Sequence, residues 1–413
     1  MGKAPEQLYR ERAKRISDAI QLKIPDRVPV SVALGYFPAK YAGITCEDAY
    51  YDYNKWKLAN KKAILDFEPD MYAMVQNESG KVLEALDYKQ ILWPGHGVSP
   101  NHGHQFIEGE CMTAVEYDLF LEDPSDYVIR TYLPRTFKTL EPFKMLPPLS
   151  SALFTVGSLP ISTLAMPEFA NVFETLAQAA RDALAWNSER NSFVEEMREL
   201  GFPARDGLTG RAPFDIVSVS LRGMHGTMLD MYRQPDKLLE ACEKLLPMQI
   251  EKITSAAKTQ DNTNVFIPLH RGADGFMSLK QFETFYWPTL KKLVFTLVDS
   301  GLTPLIFFEG DYTSRLEYLL QLPKGKILGH FDTSDISRVK DVLGNHMCIM
   351  GNVPPSLLQV GSSQDVKDYC KRLIDVAGKG GGFIMASRSS IDEVKPENLK
   401  AMIDFTKEYG IYG

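Results

Sequence analysis

The sequence predicts one α/β domain built as a (β/α)8 TIM barrel, with N-terminal helices and a large insertion after the second strand. Three short apolar runs carry this prediction: Leu305–Phe308, Ile327–Leu328 and Met347–Met350. Each run ends abruptly in polar residues, and segments long enough for a helix separate the runs. Buried parallel strands that end in functional groups and alternate with helices are the repeating unit of such a barrel.

The remaining predicted elements lie on both sides of these three runs. An amphipathic helix over 5–23 precedes a β-branched first strand at Val28–Leu34, and a helix at Tyr53–Phe67 precedes a second strand at Met71–Val75. The other six predicted strands are Phe214–Leu221, Asn264–Leu269, Leu302–Phe308, Lys326–Leu328, Met347–Met350 and Gly382–Ala386. Eight strands, most of them separated by a helix, favour one closed barrel.

Residues 79–213 form the predicted insertion. Its segment 92–110 is rich in Gly, Pro and His, which is typical of a loop or short hairpin, and we expect it to fold over the barrel mouth as a lid. Short acidic helices are predicted within 112–129 and a longer helical region over 163–200. No linker-like composition interrupts the chain, so 1–413 is interpreted as one domain.

Composition and charge narrow the class of protein. Of 413 residues, 44% are hydrophobic and 24% are charged, as in ordinary globular proteins. The net charge of −7 argues against a nucleic-acid or anionic-membrane surface, and no apolar run is long enough to span a membrane. The polar N-terminus and five scattered cysteines favour neither a signal peptide nor a disulfide framework, so we expect a cytoplasmic protein.

A pattern in the C-terminal third is specific enough to indicate a family. It consists of Gly351, Asn352, Pro354, Leu358, Gly361, Gly381–Ile384 and Pro396–Asn398. These positions resemble the uroporphyrinogen decarboxylase superfamily, and the segment 26–30 resembles the first strand of that family. The resemblance spans most of the chain and implies the same barrel fold.

Departures from the family pattern imply a branch of the superfamily. The decarboxylases carry arginines after the first strand, whereas Leu34–Lys40 contains none. The thiol-methylating branch binds zinc through His-x-Cys and a later Cys, but here Gly272 and Ser389 take the cysteine positions. What remains is a corrinoid-dependent methyltransferase branch of the O-demethylase kind. The spacing from Glu309 to His330 resembles zinc-binding elements of such enzymes.

Three potential metal ligands end predicted strands four, five and six: His270, Glu309 and His330. Imidazole and carboxylate suit zinc, and three protein ligands leave an open position for catalysis. The alternative is that each side chain only forms hydrogen bonds near its strand end. We predict catalytic roles for Glu309, for Asp311 as a ligand or its support, and for Asp332 as a residue that orients an imidazole.

Substrate-binding residues are predicted around the same mouth. Arg222, Arg271 and Arg388 follow strands three, four and eight, where an arginine can hold a carboxylate or phenolate. An ion pair with a neighbouring acidic residue is the alternative for each arginine. The further candidates are Tyr36, His96, Phe308 and Asn352.

Together these features predict an enzyme that transfers a methyl group from a small methoxylated aromatic donor to the cobalt of a partner corrinoid protein. Zinc would polarise the departing oxygen. One alternative is a decarboxylase of a porphyrinogen or another carboxylated ring, which would work without a partner. A second alternative is a non-catalytic barrel that binds a corrinoid or tetrapyrrole.

Overall fold

The computed structural model of the chain describes residues 3–75, 78–154 and 161–413. Its strands are β1 (Ser31–Ala33), β2 (Met71–Ala73), β3 (Ile91–Pro94), β4 (Gly97–Val98), β5 (Gln105–Phe106), β6 (Leu208–Thr209), β7 (Asn264–Leu269), β8 (Thr303–Phe308), β9 (Leu328–Phe331), β10 (Cys348–Val353) and β11 (Phe383–Ser387). Strands β6 to β11 form a parallel sheet in chain order, β1 pairs with β2 in parallel, and β4, β3 and β5 form a small sheet of their own.

Backbone bridges close the two parallel sheets into one barrel. Val30 bridges Met385 in parallel, and the Met385 amide donates to the Pro29 carbonyl at 2.9 Å. On the other side Tyr72 bridges Ala204 in parallel, and the Arg205 amide donates to the Tyr72 carbonyl at 2.7 Å. The ring therefore runs β1, β2, β6, β7, β8, β9, β10, β11 and back to β1. This confirms the predicted (β/α)8 barrel.

Helices surround the barrel and fill the insertion. They are α1 (Pro5–Ile20), α2 (Phe37–Ala42), α3 (Asp48–Tyr51), α4 (Tyr53–Phe67), α5 (Gly80–Leu86), α6 (Tyr117–Glu122), α7 (Pro124–Tyr127), α8 (Leu133–Thr136), α9 (Ile161–Leu164), α10 (Pro167–Glu199), α11 (Pro213–Asp215), α12 (Gly223–Arg233), α13 (Pro235–Ala257), α14 (Leu279–Gln281), α15 (Trp287–Asp299), α16 (Leu316–Leu319), α17 (Ile336–Leu343), α18 (Pro355–Val360), α19 (Ser363–Leu373) and α20 (Pro396–Tyr409). Within the described ranges, no helix combines the length and apolarity needed to cross a bilayer.

The third barrel strand is not where the sequence pattern predicts it. Phe214–Leu221 is helical, formed by the end of α11 and a π-helical turn, because Pro213 starts a helix and the buried Phe214, Val217 and Leu221 follow helical spacing. The strand is instead β6, whose two residues carry no apolar run. The insertion therefore ends before the bridge at 204 rather than at 213.

Alternation along the strands separates an outer core from the barrel interior. The interior cluster comprises Ile16, Ala19, Ile20, Met71, Leu305, Leu328, Cys348, Met350, Ile384 and Ala386. Its first three members belong to α1, which therefore plugs the amino-terminal end of the barrel. Residues that follow Leu305 and Leu328 at intervals of two, toward the strand ends, also face the interior. The carboxyl-terminal end is where the functional groups gather.

Charged residues hold the α1 plug in place. Arg15, almost fully buried, contacts Asp70 at 2.6 Å and Asp26 at 2.6 Å, and Arg27 contacts the same Asp70 at 2.7 Å. Removing one partner of such a buried pair typically costs about 3–5 kcal/mol. A cavity of about 900 Å³ lies beside the plug, between α1, α10 and the segments that lead into β7 and β8. It is at the opposite end of the barrel from the predicted site residues.

Candidate functional site

The central feature of the barrel mouth is a histidine–glutamate pair. β7 and β8 are paired with Leu269 opposite Phe308, so the next residues, His270 and Glu309, emerge side by side. The Nδ1 atom of His270 lies 2.7 Å from Oε2 of Glu309. Their side chains are 31% and 49% exposed, so a ligand at the mouth can reach both. The structure therefore brings two of the three predicted metal ligands together.

A buried carboxylate supports this pair from behind. Asp215 accepts hydrogen bonds from the backbone amides of His270 at 2.9 Å and Arg271 at 3.1 Å, and from the Tyr286 hydroxyl at 2.7 Å. Burial raises the pKa of Asp215, and the positive potential of His270 opposes that shift. Asp215 is not among the predicted site residues, because the apolar run around it predicts a strand. The sequence feature that could have indicated Asp215 is an acidic residue inside an apolar run just after Pro213.

The two aspartates predicted to act in catalysis instead shape the loop after β8. Asp332 accepts a hydrogen bond from the Gly310 amide at 3.0 Å, and desolvation raises its pKa. Asp311 accepts from the Thr313 amide at 2.9 Å and from the Thr313 hydroxyl at 2.6 Å, which forms a local turn. Neither carboxylate contacts an imidazole in these bonds. Asp332 was predicted to orient a histidine ring, but in the structure it holds the loop behind Glu309.

His330 faces the barrel interior rather than the pair at the mouth. It follows the interior residue Leu328 by two positions, and its ring lies 4.8 Å from that of Phe307. Its Nε2 donates to the Ser387 carbonyl at 2.8 Å, and its Nδ1 is buried without a partner. Burial, aided by the positive charge of Arg205, lowers the pKa of His330 to about 3.

The predicted zinc triad is therefore not assembled. His270 and Glu309 are together, but one ring nitrogen of His330 donates to the Ser387 carbonyl and the other is buried without a partner. Across residues 3–75, 78–154 and 161–413, no three His, Cys, Asp or Glu side chains are grouped closely enough to hold a metal. A catalytic zinc site needs three protein ligands on one ion, so this arrangement does not fit zinc.

The three candidate arginines differ in how far they are already engaged. Arg222 is buried and binds Asp230 through Nε at 2.6 Å, with a further ion pair to Glu110. It is a structural residue and cannot hold a substrate, because its donors are already used and it is out of reach of solvent. Arg271 binds Glu108 at 2.8 Å. The contacts of Arg222 with Glu110 and of Arg271 with Glu108 tie the insertion to the barrel.

Arg388 is the arginine that remains available. It is half-buried at the end of β11, and its Nε donates a long 3.4 Å hydrogen bond to the Asn352 carbonyl. In the described part of the chain it has no carboxylate partner within ion-pair distance. It can therefore bind a negatively charged substituent of a ligand by donating hydrogen bonds to it.

Two predicted pocket aromatics lie elsewhere. Phe308 points outward, where its ring stacks on Phe331 at 4.7 Å, because strand alternation places its neighbour Phe307 inside. The Tyr36 hydroxyl contacts Tyr50 at 3.0 Å and Nδ1 of His104 at 2.7 Å. Tyr36 thus links the end of β1 to the insertion, and Phe307 is the aromatic residue that the interior does present.

His96 and Asn352 complete the predicted set. His96 stacks on Trp93 with ring centres 4.2 Å apart, and its side chain is 53% exposed on the insertion surface. Asn352 is buried and donates to the carbonyls of Asp332 at 3.1 Å and Ser334 at 3.2 Å. It braces the ends of β9 and β10, and His96 is outside the mouth.

Glu108, which is also absent from the predicted site residues, is the insertion residue that reaches the barrel mouth. Its Oε1 accepts from Arg271 at 2.8 Å and from the Met224 amide at 2.8 Å. The segment 91–110 forms β3, β4 and β5, as expected for a hairpin-like region beside the mouth. The only sequence feature that could have indicated Glu108 is an acidic residue in a Gly-rich loop, and no spacing to another residue distinguishes it.

Comparisons with known proteins agree with this architecture. Residues 208–409 match the family model described as uroporphyrinogen decarboxylase (URO-D). The uroporphyrinogen decarboxylase of Syntrophotalea carbinolica is 25% identical over 284 residues, covering 64% of this chain and 81% of that protein. The corresponding enzyme of Geobacter sulfurreducens is 26% identical over 175 residues, covering 42% of this chain and 50% of that protein.

Among solved structures, a methyltransferase from Methanosarcina mazei shares the fold. The TM-score is 0.60 at 15% sequence identity, and the match covers 96% of this chain and 98% of that chain. The fold of that protein therefore extends over most of this chain, beyond the residues that the family model matches. A shared fold at this identity does not determine the reaction.

Proposed function

We propose that this chain, whose residues 208–409 match the uroporphyrinogen decarboxylase family model, is a corrinoid-dependent methyltransferase. It transfers the methyl group of a small methoxylated aromatic donor to the cobalt of a partner corrinoid protein. The observation that carries the proposal is the accessible pair of His270 and Glu309 at the mouth of a barrel that offers few free cations. The Methanosarcina mazei protein of the same fold is named a methyltransferase.

The arginine contacts weigh against a porphyrinogen as substrate. Such a ring carries several carboxylates, and each needs a cationic partner when it leaves water. The loop Leu34–Lys40 has no arginine, and Arg222 and Arg271 are paired with carboxylates of the chain itself. Of these three arginines, only Arg388 has no carboxylate partner among the described residues of the chain. One cation suits a small donor with at most one carboxylate.

The histidine–glutamate pair can supply the proton that the reaction requires. When the methyl carbon leaves an ether oxygen, the electron pair of the broken C–O bond stays on that oxygen. The methyl carbon takes its new electron pair from the reduced cobalt of the partner. Glu309 holds the Nδ1–H of His270, and the Nε2–H of the protonated ring can be given to the departing oxygen. Such general acid catalysis typically contributes about 10²–10⁴-fold in rate.

The barrel interior supplies an apolar place for the ring. Phe266 and Phe307 are partly exposed neighbours on β7 and β8, with ring centres 6.4 Å apart and planes inclined by 22°. Both face the interior by strand alternation, directly below His270 and Glu309. A flat ring against these side chains would present its ether oxygen to the pair above. Small-molecule sites commonly combine such apolar walls with a few polar groups.

The contacts that hold the insertion at the barrel mouth can open to admit a large partner. Glu108 joins this segment to Arg271 and to the amide of Met224. These contacts are near the surface, where an ion pair is worth little, typically about 0–1 kcal/mol. The segment can therefore be displaced when a corrinoid protein docks, and can exclude water from the donor when it returns.

The test is a methyl-transfer assay with free cob(I)alamin as acceptor and 4-hydroxy-3-methoxybenzoate as donor. We expect methylcobalamin and the corresponding catechol to form in equal amounts, and the Glu309→Gln variant to slow both. A parallel reaction contains uroporphyrinogen without corrinoid. Release of carbon dioxide from uroporphyrinogen, with no methylcobalamin in the first reaction, would establish the decarboxylase alternative that the names of the sequence relatives favour.

A further inference from the structure

One nitrogen atom inside the barrel is buried without a hydrogen-bond partner: Nδ1 of His330. The side chain is 3% exposed and lies in the interior above Leu328, on the same face of β9. Buried polar atoms of native proteins nearly always have a partner, so an unpaired one calls for a physical explanation. A ligand group that occupies the interior is the simplest partner for it.

The other ring nitrogen determines what that partner must be. Nε2 of His330 lies 2.8 Å from the Ser387 carbonyl oxygen. A carbonyl oxygen only accepts hydrogen bonds, so Nε2 carries the proton. Burial and the nearby positive charge of Arg205 keep the ring neutral by lowering its pKa to about 3. Nδ1 therefore presents a lone pair, and its partner must be a hydrogen-bond donor.

The surroundings of Nδ1 indicate the kind of molecule that carries the donor. The Phe307 ring lies 4.8 Å from the imidazole, and Phe266 lies beside Phe307. Arg205, which could otherwise donate to the imidazole, is held by Asp206 at 2.7 Å and lies 5.0 Å above the Phe266 ring. The site thus combines aromatic walls with one neutral acceptor. It suits an aromatic ring that bears a hydroxyl group.

We propose that Nδ1 of His330 accepts a hydrogen bond from a phenolic hydroxyl of the methyl donor, so the enzyme selects methoxyphenols over rings whose oxygens are all methylated. This inference rests on the proposed function and specifies its substrate class. Sites built to hydrogen-bond a substrate hydroxyl reject the analogue that lacks it, because a buried polar group is then left unpaired. His330 is a specificity residue, whereas the pair at the mouth handles the departing oxygen.

The experiment measures binding of two probes that differ only at one oxygen, 2-methoxyphenol and 1,2-dimethoxybenzene. Isothermal titration calorimetry of the full chain needs neither corrinoid nor turnover. We expect at least a tenfold preference of the wild-type protein for 2-methoxyphenol, and loss of that preference in His330→Phe. His330→Gln retains an acceptor oxygen and should keep part of the preference for 2-methoxyphenol.

Met350→Leu is the matched control, since Met350 is opposite His330 in the register of β9 and β10 and faces the same interior. This substitution conserves volume and removes no polar atom, so the preference should persist. Equal affinities of the wild-type protein for both probes, or no binding of 2-methoxyphenol, would overturn the inference. Loss of the preference in Met350→Leu as well would also overturn it.

Failure of this inference can be distinguished from failure of the proposed function. Preference for the phenol without any methyl transfer to cob(I)alamin would support the hydroxyl site and contradict the methyltransferase. Methyl transfer at equal rates from both probes would support the methyltransferase and contradict the role of His330. The two readouts are independent because only the second requires cobalt.

Discussion

Nδ1 of His270 lies 2.7 Å from Oε2 of Glu309, across the ends of two neighbouring parallel strands. The register of β7 and β8 places the two residues next to each other, since Leu269 and Phe308, which precede them, are opposite each other. Asp215 holds the backbone behind the imidazole. The pair is therefore held in place at the open end of the barrel, as the proposed acid role requires.

Replacing Glu309 tests the role of the pair. Glu309→Gln keeps a hydrogen-bond acceptor but removes the carboxylate charge beside His270, so we expect the rate of methyl transfer to fall by about 10²-fold. The melting temperature should change little, because an exposed ion pair contributes about 0–1 kcal/mol. Initial rates of methylcobalamin formation and a thermal unfolding curve measure both.

Asp311→Asn is the control for Glu309, because Asp311 is two residues away and serves a turn with Thr313. Its methyl-transfer rate should stay within a few-fold of wild type. If Asp311→Asn and Glu309→Gln lose activity equally, the loop conformation rather than the carboxylate of Glu309 is what matters.

Arg388 should discriminate between donors with and without a carboxylate. A charge-assisted hydrogen bond is worth about 1.5–3 kcal/mol, so Arg388→Gln should raise KM for 4-hydroxy-3-methoxybenzoate by about 10–100-fold. The KM for 2-methoxyphenol, which has no carboxylate, should be unchanged. Arg372→Gln, an exposed arginine on α19, serves as the control. Equal increases of KM for both donors would remove Arg388 from carboxylate binding.

Glu108 should control how firmly the insertion is held at the mouth. Glu108→Ala removes its contacts with Arg271 and the Met224 amide, and should accelerate hydrogen exchange within residues 105–110 about fivefold, which corresponds to about 1 kcal/mol. Glu243→Ala breaks a similarly exposed ion pair with Lys292 and is the control. Unchanged exchange in Glu108→Ala would show that other contacts hold the segment.

The arrangement of the potential metal ligands predicts how much zinc the protein retains. His270 and Glu309 alone supply two ligands, fewer than a catalytic site uses. We expect elemental analysis after extensive dialysis to find less than one zinc per chain, and a chelator to leave methyl transfer unchanged. One zinc per chain that is lost in both His270→Ala and His330→Ala would contradict this, and would show that the His330 ring turns away from Ser387.

The stability of the insertion should depend on pH through Glu116. Hydrogen bonds from Arg135, at 2.7 Å and 2.6 Å, are the main reason that the pKa of Glu116 is lowered to about 2. A carboxyl with a lowered pKa stabilises the fold above its ordinary pKa of 4.5, and that contribution is lost as the pH falls from 4.5 toward 2. Glu116→Gln should therefore lower the free energy of unfolding at pH 7 by about 2 kcal/mol, a value reduced for partial exposure.

Urea unfolding of the Glu116→Gln variant at pH 7 and pH 3 measures this effect. The difference from wild type should be clearly smaller at pH 3. Glu122→Gln, an exposed residue of the same acidic region, should show little difference at either pH. An equal loss of stability at both values of pH would mean that Glu116 acts through its shape rather than its charge.

Much of the barrel was predictable because buried parallel strands leave a strong local pattern. Seven of the eight strands lie where their apolar runs predict, and the pair His270 and Glu309 follows from strand ends meeting at one edge. The third strand was missed since β6 has only two residues and no apolar run. The helical spacing of Phe214, Val217 and Leu221 was hidden among β-branched residues that also suit a strand.

The resemblance to a family, the order of most strands and the polar residues that end them could be read from the sequence, because these depend on local runs of residues and on motifs. The direction of each side chain and the neighbour that it contacts could be read only from the folded chain. His330 turns its Nε2 to Ser387, and Arg222 and Arg271 are paired with residues of the insertion more than a hundred positions away. Such contacts depend on strand alternation and on long-range packing, which spacing along the chain does not encode.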